Sequence, residues 1–272
     1  MKFLPTALKV ALSSLLITGS LSASASDIEV EETKKLSLSG SDLTQFKIDA
    51  AAGFLVIEGD EGLDSIEVTA DIAAYNDKYQ LSLVKKGSKA VLLADPNPES
   101  SINWFSNGSA KIDLTIKVPK GMSLDIDDGS GNIDINYIDA EVTIDDGSGN
   151  IDVQNIGGMV HIDDGSGNLN LSNISGKIKV DDGSGNIDIR DVKSDVDIED
   201  GSGQIKLVGV GGEVDIDDGS GDLLVKNAKG HVTIDDGSGD IKVNGLSHGL
   251  TVISSGSGGL SMEHVEGKVV TK

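Results

Sequence analysis

Acidic residues recur in this chain at a spacing suited to chemistry. An acidic pair precedes a Gly-Ser-Gly triplet at Asp127 and Asp128, Asp145 and Asp146, Asp163 and Asp164, Asp181 and Asp182, Glu199 and Asp200, Asp217 and Asp218, and Asp235 and Asp236. The residue after each triplet is again polar: Asn132, Asn150, Asn168, Asn186, Gln204, Asp222 and Asp240. Read as outward columns stacked at ~4.8 Å, neighbouring ionised carboxylates repel by about 0.9 kcal/mol in water and about 3.5 kcal/mol at an effective dielectric near 20. Something must offset this. Either each Asp before the triplet accepts a backbone N–H of its own turn, as in an Asx-turn, or Ca²⁺ bridges successive pairs through carboxylate oxygens. Two carboxylates per pair fall short of the six to eight oxygens calcium takes. Turn capping without a cofactor is therefore the expectation, and a calcium-bound lattice the alternative.

Catalysis fits the pattern poorly. A working pair of carboxylates needs two different environments to split its pKa values, whereas a repeat supplies one environment many times over. The single interruption is a one-residue insertion, read near Leu246-Ser-His-Gly249. Of the four histidines, His161, His231, His248 and His264, the first two occupy different slots, each without a histidine at the matching slot of the adjacent repeat, and the set reads as isolated surface residues, not as a transition-metal site. No Ser-His-Asp spacing, phosphate loop after a strand or metalloprotease motif is present. No catalytic, cofactor-binding or metal residue is assigned.

Three lattice chemistries can be weighed against the repeat. A calcium-binding nonapeptide roll needs Asp two residues after the second glycine of each Gly-x-Gly, a slot held here by Ile133, Ile151, Leu169 and Ile187. An ice-binding face needs threonine columns, yet the slot richest in threonine reads Thr143, His161, Lys179, Asp197, Asp215, Thr233. A polysaccharide-cleaving β-helix needs an Arg or Lys amid acids in a groove with aromatic platforms. Arg190 is the only arginine, and Tyr137 the only aromatic of the regular repeat.

The framework that must position these columns is the repeat itself. Asp128-Gly-Ser-Gly-Asn-Ile-Asp-Ile135 returns with its first glycine at Gly129, Gly147, Gly165, Gly183, Gly201, Gly219 and Gly237, then one residue late at Gly256. A fixed period of this length marks stacked supersecondary units. Apolar residues at Ile133, Ile135, Ile138, Val142 and Ile144, matched by Leu169, Leu171, Ile174, Ile178 and Val180, give two short period-2 runs per repeat: strand, turn, strand, turn. The fold class is all-β, a single-stranded β-solenoid with one coil per 18 residues. Five buried aliphatic side chains contribute roughly 7–15 kcal/mol, less than the roughly 18–36 kcal/mol needed to order 18 backbone residues. A coil is therefore stable only when stacked. Glycine at both ends of the triplet is expected to supply positive φ angles. A second corner is marked by Gly158, Gly176, Ser194, Gly212 and Gly230.

Three regions are expected along the chain. Residues 1–25 read as a secretory signal, with Lys2 and Lys9, an apolar stretch from Val10 to Leu21 and Ala23-Ser24-Ala25, cut before Ser26. Residues 26–118 read as irregular β coils that begin and cap the solenoid, with residues 27–43 a surface leader that pairs loosely if at all. Trp104 and Phe105, on the longest loop, are read as folding back onto an apolar surface. Residues 119–272 form the regular part. The last coil lacks a cap, and weak end-to-end association is expected.

The charge limits partners. The chain has 22 basic and 45 acidic residues, net −23, and removing the signal takes away two lysines and no acid, leaving 20 against 45, or −25. Nucleic acid is excluded as a partner, and an anionic membrane surface is disfavoured. No cysteine is present, so neither a disulfide nor a lipid-anchored cysteine can form.

The order of segments carries a resemblance. Phe54-Leu-Val-Ile-Glu-Gly59, Ile116-Lys-Val-Pro-Lys-Gly121, Leu124-Asp-Ile126 and the Ser-Gly-Asn-Ile-Asp-Ile repeats resemble the bacterial "putative adhesin" family, a domain of unknown function built from β-strand repeats. The resemblance covers Phe46 to Lys272 and implies an exported β-solenoid without an established catalytic site. The expected function is a non-catalytic periplasmic or surface protein of the bacterial envelope, an adhesin-like or structural scaffold, binding an envelope or surface component.

Overall fold

A computed structural model describes residues 13–14, 28–40, 42–98 and 110–272, so most of the signal-like segment, together with Trp104 and Phe105, lies outside the described residues. The described residues form strands without a helix, in two sheets of 13 and 12 strands. From Ser123 onward each coil places one strand in each sheet. Ile133–Ile138, Ile151–Ile156, Leu169–Ile174 and their successors line the first sheet, and Val142–Asp146, Val160–Asp164, Ile178–Asp182 and theirs line the second. Pairing is parallel and in 18-residue register: Ile133 opposite Ile151, Ile151 opposite Leu169, Val142 opposite Val160.

The five apolar slots fill the space between the sheets. Ile133, Ile135, Ile138, Val142 and Ile144 are at most 1% exposed, and their counterparts as far as Val252 are at most 3% exposed. Each side chain lies between like side chains of the coils above and below, which supplies the neighbours that one coil lacks.

The one-residue insertion lies elsewhere than the sequence suggests. Leu250 still pairs with Val232 and Val252 with Ile234, but Asp235 pairs with Ser254. The extra residue is therefore Ile253, extruded as a β-bulge and 41% exposed. Keeping Leu250 and Val252 in their apolar columns outweighs an unbroken ladder, because a bulge exposes one residue whereas a slip would turn the whole strand inside out.

The N-terminal part is more ordered than its irregular spacing implies. Gln45–Ala50 and Leu55–Asp60 form a true coil, paired in parallel with Ser123–Asp128 and Ile133–Ile138. On their other side lie Lys89–Asp95 and Lys111–Pro119, the next coil outward. Spatial order thus departs from chain order: residues 45–60 sit between the regular rod and a coil made later in the chain. Antiparallel strands seal this end, with Gln80–Lys86 on Lys89–Asp95, and Ser65–Ala74 between Lys111–Pro119 and Val30–Ser39. The two-residue strand Ser13–Ser14 pairs with Lys34 and Lys35. Residues 27–43 are accordingly no loose leader. Val30–Ser39 pairs with Ser65–Ala74 over ten residues and buries Leu36 and Leu38. At the opposite end Met262 and Val269 are 43% and 42% exposed.

The two glycines of each triplet differ in role. In the seven regular triplets only the second has a positive φ, 145° at Gly131 and 150° at Gly149, whereas in the last, Gly256-Ser-Gly258, the first does, at 50°. A Cβ on Gly185 would lie 1.5 Å from the carbonyl oxygen of Gly167 in the coil before it. At the first glycine the conformation is ordinary but space is not: a Cβ on Gly183 would lie 2.6 Å from the carbonyl oxygen of Gly165. Gly185→Ala is thus expected to cost several kcal/mol and lower the melting temperature by about 10 °C or more, while Ser184→Ala shifts it by only a few degrees. Ile189→Asp, which places a charge where exposure is 0%, should unfold the rod at a similar or greater cost. Thermal melts followed by far-UV circular dichroism check all three, and equal midpoints for Gly185→Ala and Ser184→Ala would contradict the close-approach explanation.

Candidate functional site

The acidic pairs do not form one outward lattice. Strand alternation puts their two members on opposite faces. Asp127, Asp145, Asp163, Asp181, Glu199 and Asp217 are exposed and Asp235 half-buried. Asp128, Asp146, Asp164, Asp182, Asp200, Asp218 and Asp236 point inward and are 0–5% exposed. The second column therefore continues the apolar columns of Val142 and Ile144, because successive inward positions are two residues apart. Reading both columns as outward was wrong for the second, and members of one pair do not converge on a common cation.

The inward carboxylates do cap their turns. Oδ1 accepts a hydrogen bond from the backbone N–H of the triplet serine: Ser148 to Asp146 at 3.2 Å, Ser166 to Asp164, Ser184 to Asp182, Ser202 to Asp200 and Ser238 to Asp236 at 3.0 Å, and Ser220 to Asp218 at 2.9 Å. This is the expected Asx-turn. It satisfies one oxygen. The Oδ2 atoms of these six residues, and both carboxylate oxygens of Asp128, are buried without a hydrogen-bond partner.

That environment shifts the acidity of the whole column. Burial, reinforced by neighbouring aspartates, pushes Asp128 and Asp182 up to about 7 and Asp146 and Asp218 up to about 6. Asp164, Asp200 and Asp236 are raised as well, chiefly by burial and in part against the serine N–H bond. Two ionised members one coil apart at ~4.8 Å repel by about 3.5 kcal/mol at an effective dielectric near 20.

The outward polar columns are ladders of a different kind. The Asn150 side chain donates to Asn132 Oδ1 at 3.3 Å, Asn168 to Asn150 at 3.0 Å and Asn186 to Asn168 at 2.9 Å. A second polar column, not foreseen from the sequence, sits where the backbone turns left-handed: Asn155, Asn173, Asp191 and Asn227, with φ of 56–57°, and Gly209 and Gly245. Asn173 bonds to Asn155 across coils. Its signal is Asn, Asp or Gly recurring every 18 residues, the residues that tolerate this conformation. Tyr137 breaks the pattern, at φ 61° and 52% exposed.

The remaining candidates stay dispersed. His231 approaches His248 only through the latter's carbonyl oxygen, 3.3 Å from His231 Nδ1, while its Nε2 lies 3.0 Å from Thr251 Oγ1. His264 Nδ1 lies 3.4 Å from Asn244 Oδ1. Arg190 is paired with Asp188, which Lys206 also contacts at 3.0 Å. Among the described residues no group of three or more His, Cys, Asp or Glu is placed to hold a metal ion. A shallow, open depression of about 320 Å³ on the second sheet is lined by Lys177, Asp195, Asp197, Glu213, Asp215 and His231, among others. Lys177 there is paired with Asp197 at 3.3 Å.

These features define an all-β parallel solenoid whose polar columns repeat with the coil. The chain belongs to the Toastrack DUF4097 family, whose model matches residues 56–271. This bears out the resemblance carried by its repeats. A solved structure described as a "putative lipid binding protein" from Parabacteroides distasonis ATCC 8503 is similar over 90% of this chain and 98% of that one, at 16% identity and a TM-score of 0.52. A "putative adhesin" from the same organism matches over 89% and 97%, at 14% identity and a TM-score of 0.47. A "putative adhesin" from Bacteroides fragilis NCTC 9343 matches over the same shares at 14% identity and a TM-score of 0.36. At these identities the likeness is one of fold. No curated protein matches the chain.

Tyr137 yields a prediction. Tyr137→Asn, which gives the left-handed slot the residue its column prefers, should raise stability by about 0.5–1 kcal/mol, or about 1–4 °C in melting temperature. A lower midpoint in a thermal melt would show that the ring contributes packing that exceeds the backbone strain.

Proposed function

We propose that the chain is an exported, non-catalytic rod of the bacterial envelope, periplasmic or surface-associated, acting as an adhesin-like or structural scaffold with an acidic outer face. The observation that supports this reading is repetition. Two polar columns recur once per coil, the acidic one from Asp127 to Asp235 and the amide one from Asn132 to Asn186. Such a surface offers an extended or repetitive partner many equivalent contacts, whereas catalysis needs one exceptional place. Arg190, the one arginine, is held by Asp188 on an exposed face, and Lys177 in the acidic depression is paired with Asp197 in a lining that holds no Phe, Tyr or Trp side chain. No helix among the described residues is long and apolar enough to cross a membrane.

Export is tested by cell fractionation and N-terminal sequencing. The chain should be recovered from the envelope or periplasm beginning at Ser26, and recovery in the cytoplasm with Met1 retained would overturn the reading. The non-catalytic role is tested by screening envelope polysaccharides and esters. Turnover abolished by one point mutation would reverse it.

A calcium-stabilised rod is the second reading. It now rests on the outward column alone, because Asp128 and its counterparts face the core. At constant ionic strength the melting temperature in chelator and in millimolar calcium should coincide if turn capping suffices. A calcium-dependent rise that disappears in Asp163→Asn/Asp181→Asn would establish the cation instead. Weak end-to-end association through the terminal coil completes the proposal, and a strictly monomeric sedimentation profile at high concentration would remove it.

A further inference from the structure

The inward aspartates are an expensive choice for a column that an uncharged residue would fill at less cost. Asparagine could accept the same serine N–H through its Oδ1. Yet the position is Asp in all seven regular coils from Asp128 to Asp236, and six of the seven hold one oxygen on the turn and one without a partner. Strand pairing sets these residues directly above one another, Asp128 on Asp146, Asp146 on Asp164, Asp164 on Asp182, Asp182 on Asp200, Asp200 on Asp218 and Asp218 on Asp236. An unpartnered carboxylate oxygen with like neighbours on both sides is a place for a proton. Once protonated, it carries no charge and becomes a hydrogen-bond donor.

We propose that the inward column is a proton-binding ladder, which takes up several protons as the surroundings acidify and makes the rod firmer in acid than at neutral pH. The groups that act on it are uniform in sign. Asp182 feels Asp164 and Asp200 from the coils on either side and Asp181 from its own strand; Asp218 feels Asp200, Asp236 and Asp217; Asp128 feels Asp146 and Asp127. Among the described residues, no lysine, arginine or histidine is a leading influence on any member of the column. The interior that the column shares is otherwise apolar, with Ile133, Ile151, Leu169 and Ile187 all at most 1% exposed. The leading influences on the ladder among the described residues include no compensating positive charge, which leaves protons to neutralise it. Coupled neighbours titrate as a set over a wide range, since each ionisation makes the next one harder.

The direction of the pH effect follows from linkage. Unfolded aspartates titrate near 3.9, and the folded column near 6–7 at the four positions with the largest shifts. The folded chain therefore binds more protons across that interval, and stability falls as pH rises. The stabilisation is fully present below about pH 4, drains away through about pH 6–7, and is absent above about pH 8.

The test is a series of thermal melts of the full chain between pH 4.5 and 8.5 at fixed ionic strength. The expected result is a melting temperature that falls by about 10 °C or more from the acid to the alkaline end. Asp164→Asn/Asp182→Asn should raise the midpoint at pH 8 and flatten the profile. Asp163→Asn/Asp181→Asn removes the same charge from the outward face and should leave the slope nearly intact. Equal flattening by both pairs would assign the effect to surface repulsion and overturn the ladder, as would a wild-type profile that rises with pH. Should the inward double variant fail to fold, carbon-13 carboxyl NMR of the unaltered protein decides. A set of aspartates with midpoints above about 5.5 supports the ladder, and titration of every aspartate below about 4.5 overturns it.

Discussion

The constraint on which this molecule depends is the distance between one coil and the next. Parallel main-chain pairing fixes it at ~4.8 Å, and the requirement does not relax where the chain turns. Along the strands, side chains escape to either face. At the Gly-Ser-Gly corner the chain continues to pair, with Gly147 N–H bonded to the Asp128 carbonyl and Gly149 N–H to that of Ser166, and a Cβ would point into the coil below. The corner therefore has no Cβ at two of its three positions. The third, serine, directs its N–H to the inward aspartate. The 18-residue period expresses this corner as much as it expresses the core.

Much of this architecture was legible because the same physical problem is solved seven times. Aliphatic columns, corners and coil length all follow from the recurrence of Ile133-Asp-Ile135 and Gly129-Ser-Gly131. What stayed hidden was solved once. The coil at residues 45–60 has Asp49-Ala-Ala-Ala-Gly53 where a regular coil has Asp127-Asp-Gly-Ser-Gly131, and Ala50 stands in register with Asp128. Small residues meet the same spacing demand there, but alanine carries no motif. The sequence between this coil and its spatial neighbour at Ser123–Asp128 also builds the sealed end, so sequence distance concealed their contact. Pairing of Val30–Ser39 with Ser65–Ala74 was hidden for a related reason: its alternation is diluted by the lysines and glutamates of a largely exposed strand.

The misreading of the acidic pairs is instructive at the level of single residues. Two adjacent aspartates look like one site. In a strand they are assigned to opposite faces by the pleat, and the alternation Val142, Ile144, Asp146 already placed the second of them inside. Charge argued for the surface and period argued for the core. Period prevailed, because a slip of one residue would have exposed every aliphatic side chain of the strand. Sequence chemistry located the turn cap correctly, but the unpartnered second oxygen depends on packing that no local motif reports.

The inward aspartate also limits how the coils can stack. An aliphatic residue at this slot would extend the apolar column without a break, and a coil displaced by two residues along its strand would still bury hydrophobic side chains against hydrophobic neighbours. With Asp in the slot, the same displacement sets a carboxylate among Ile144 and Ile162, while the serine cap, made within one coil, travels with it. An unpaired charge buried among aliphatic side chains is strongly unfavourable. The penalty for misalignment thus recurs at every coil. Protonation lowers the cost of the correct register while leaving the capping oxygen on its turn. The residue that fixes where each coil begins is therefore also the one whose charge the interior tolerates least.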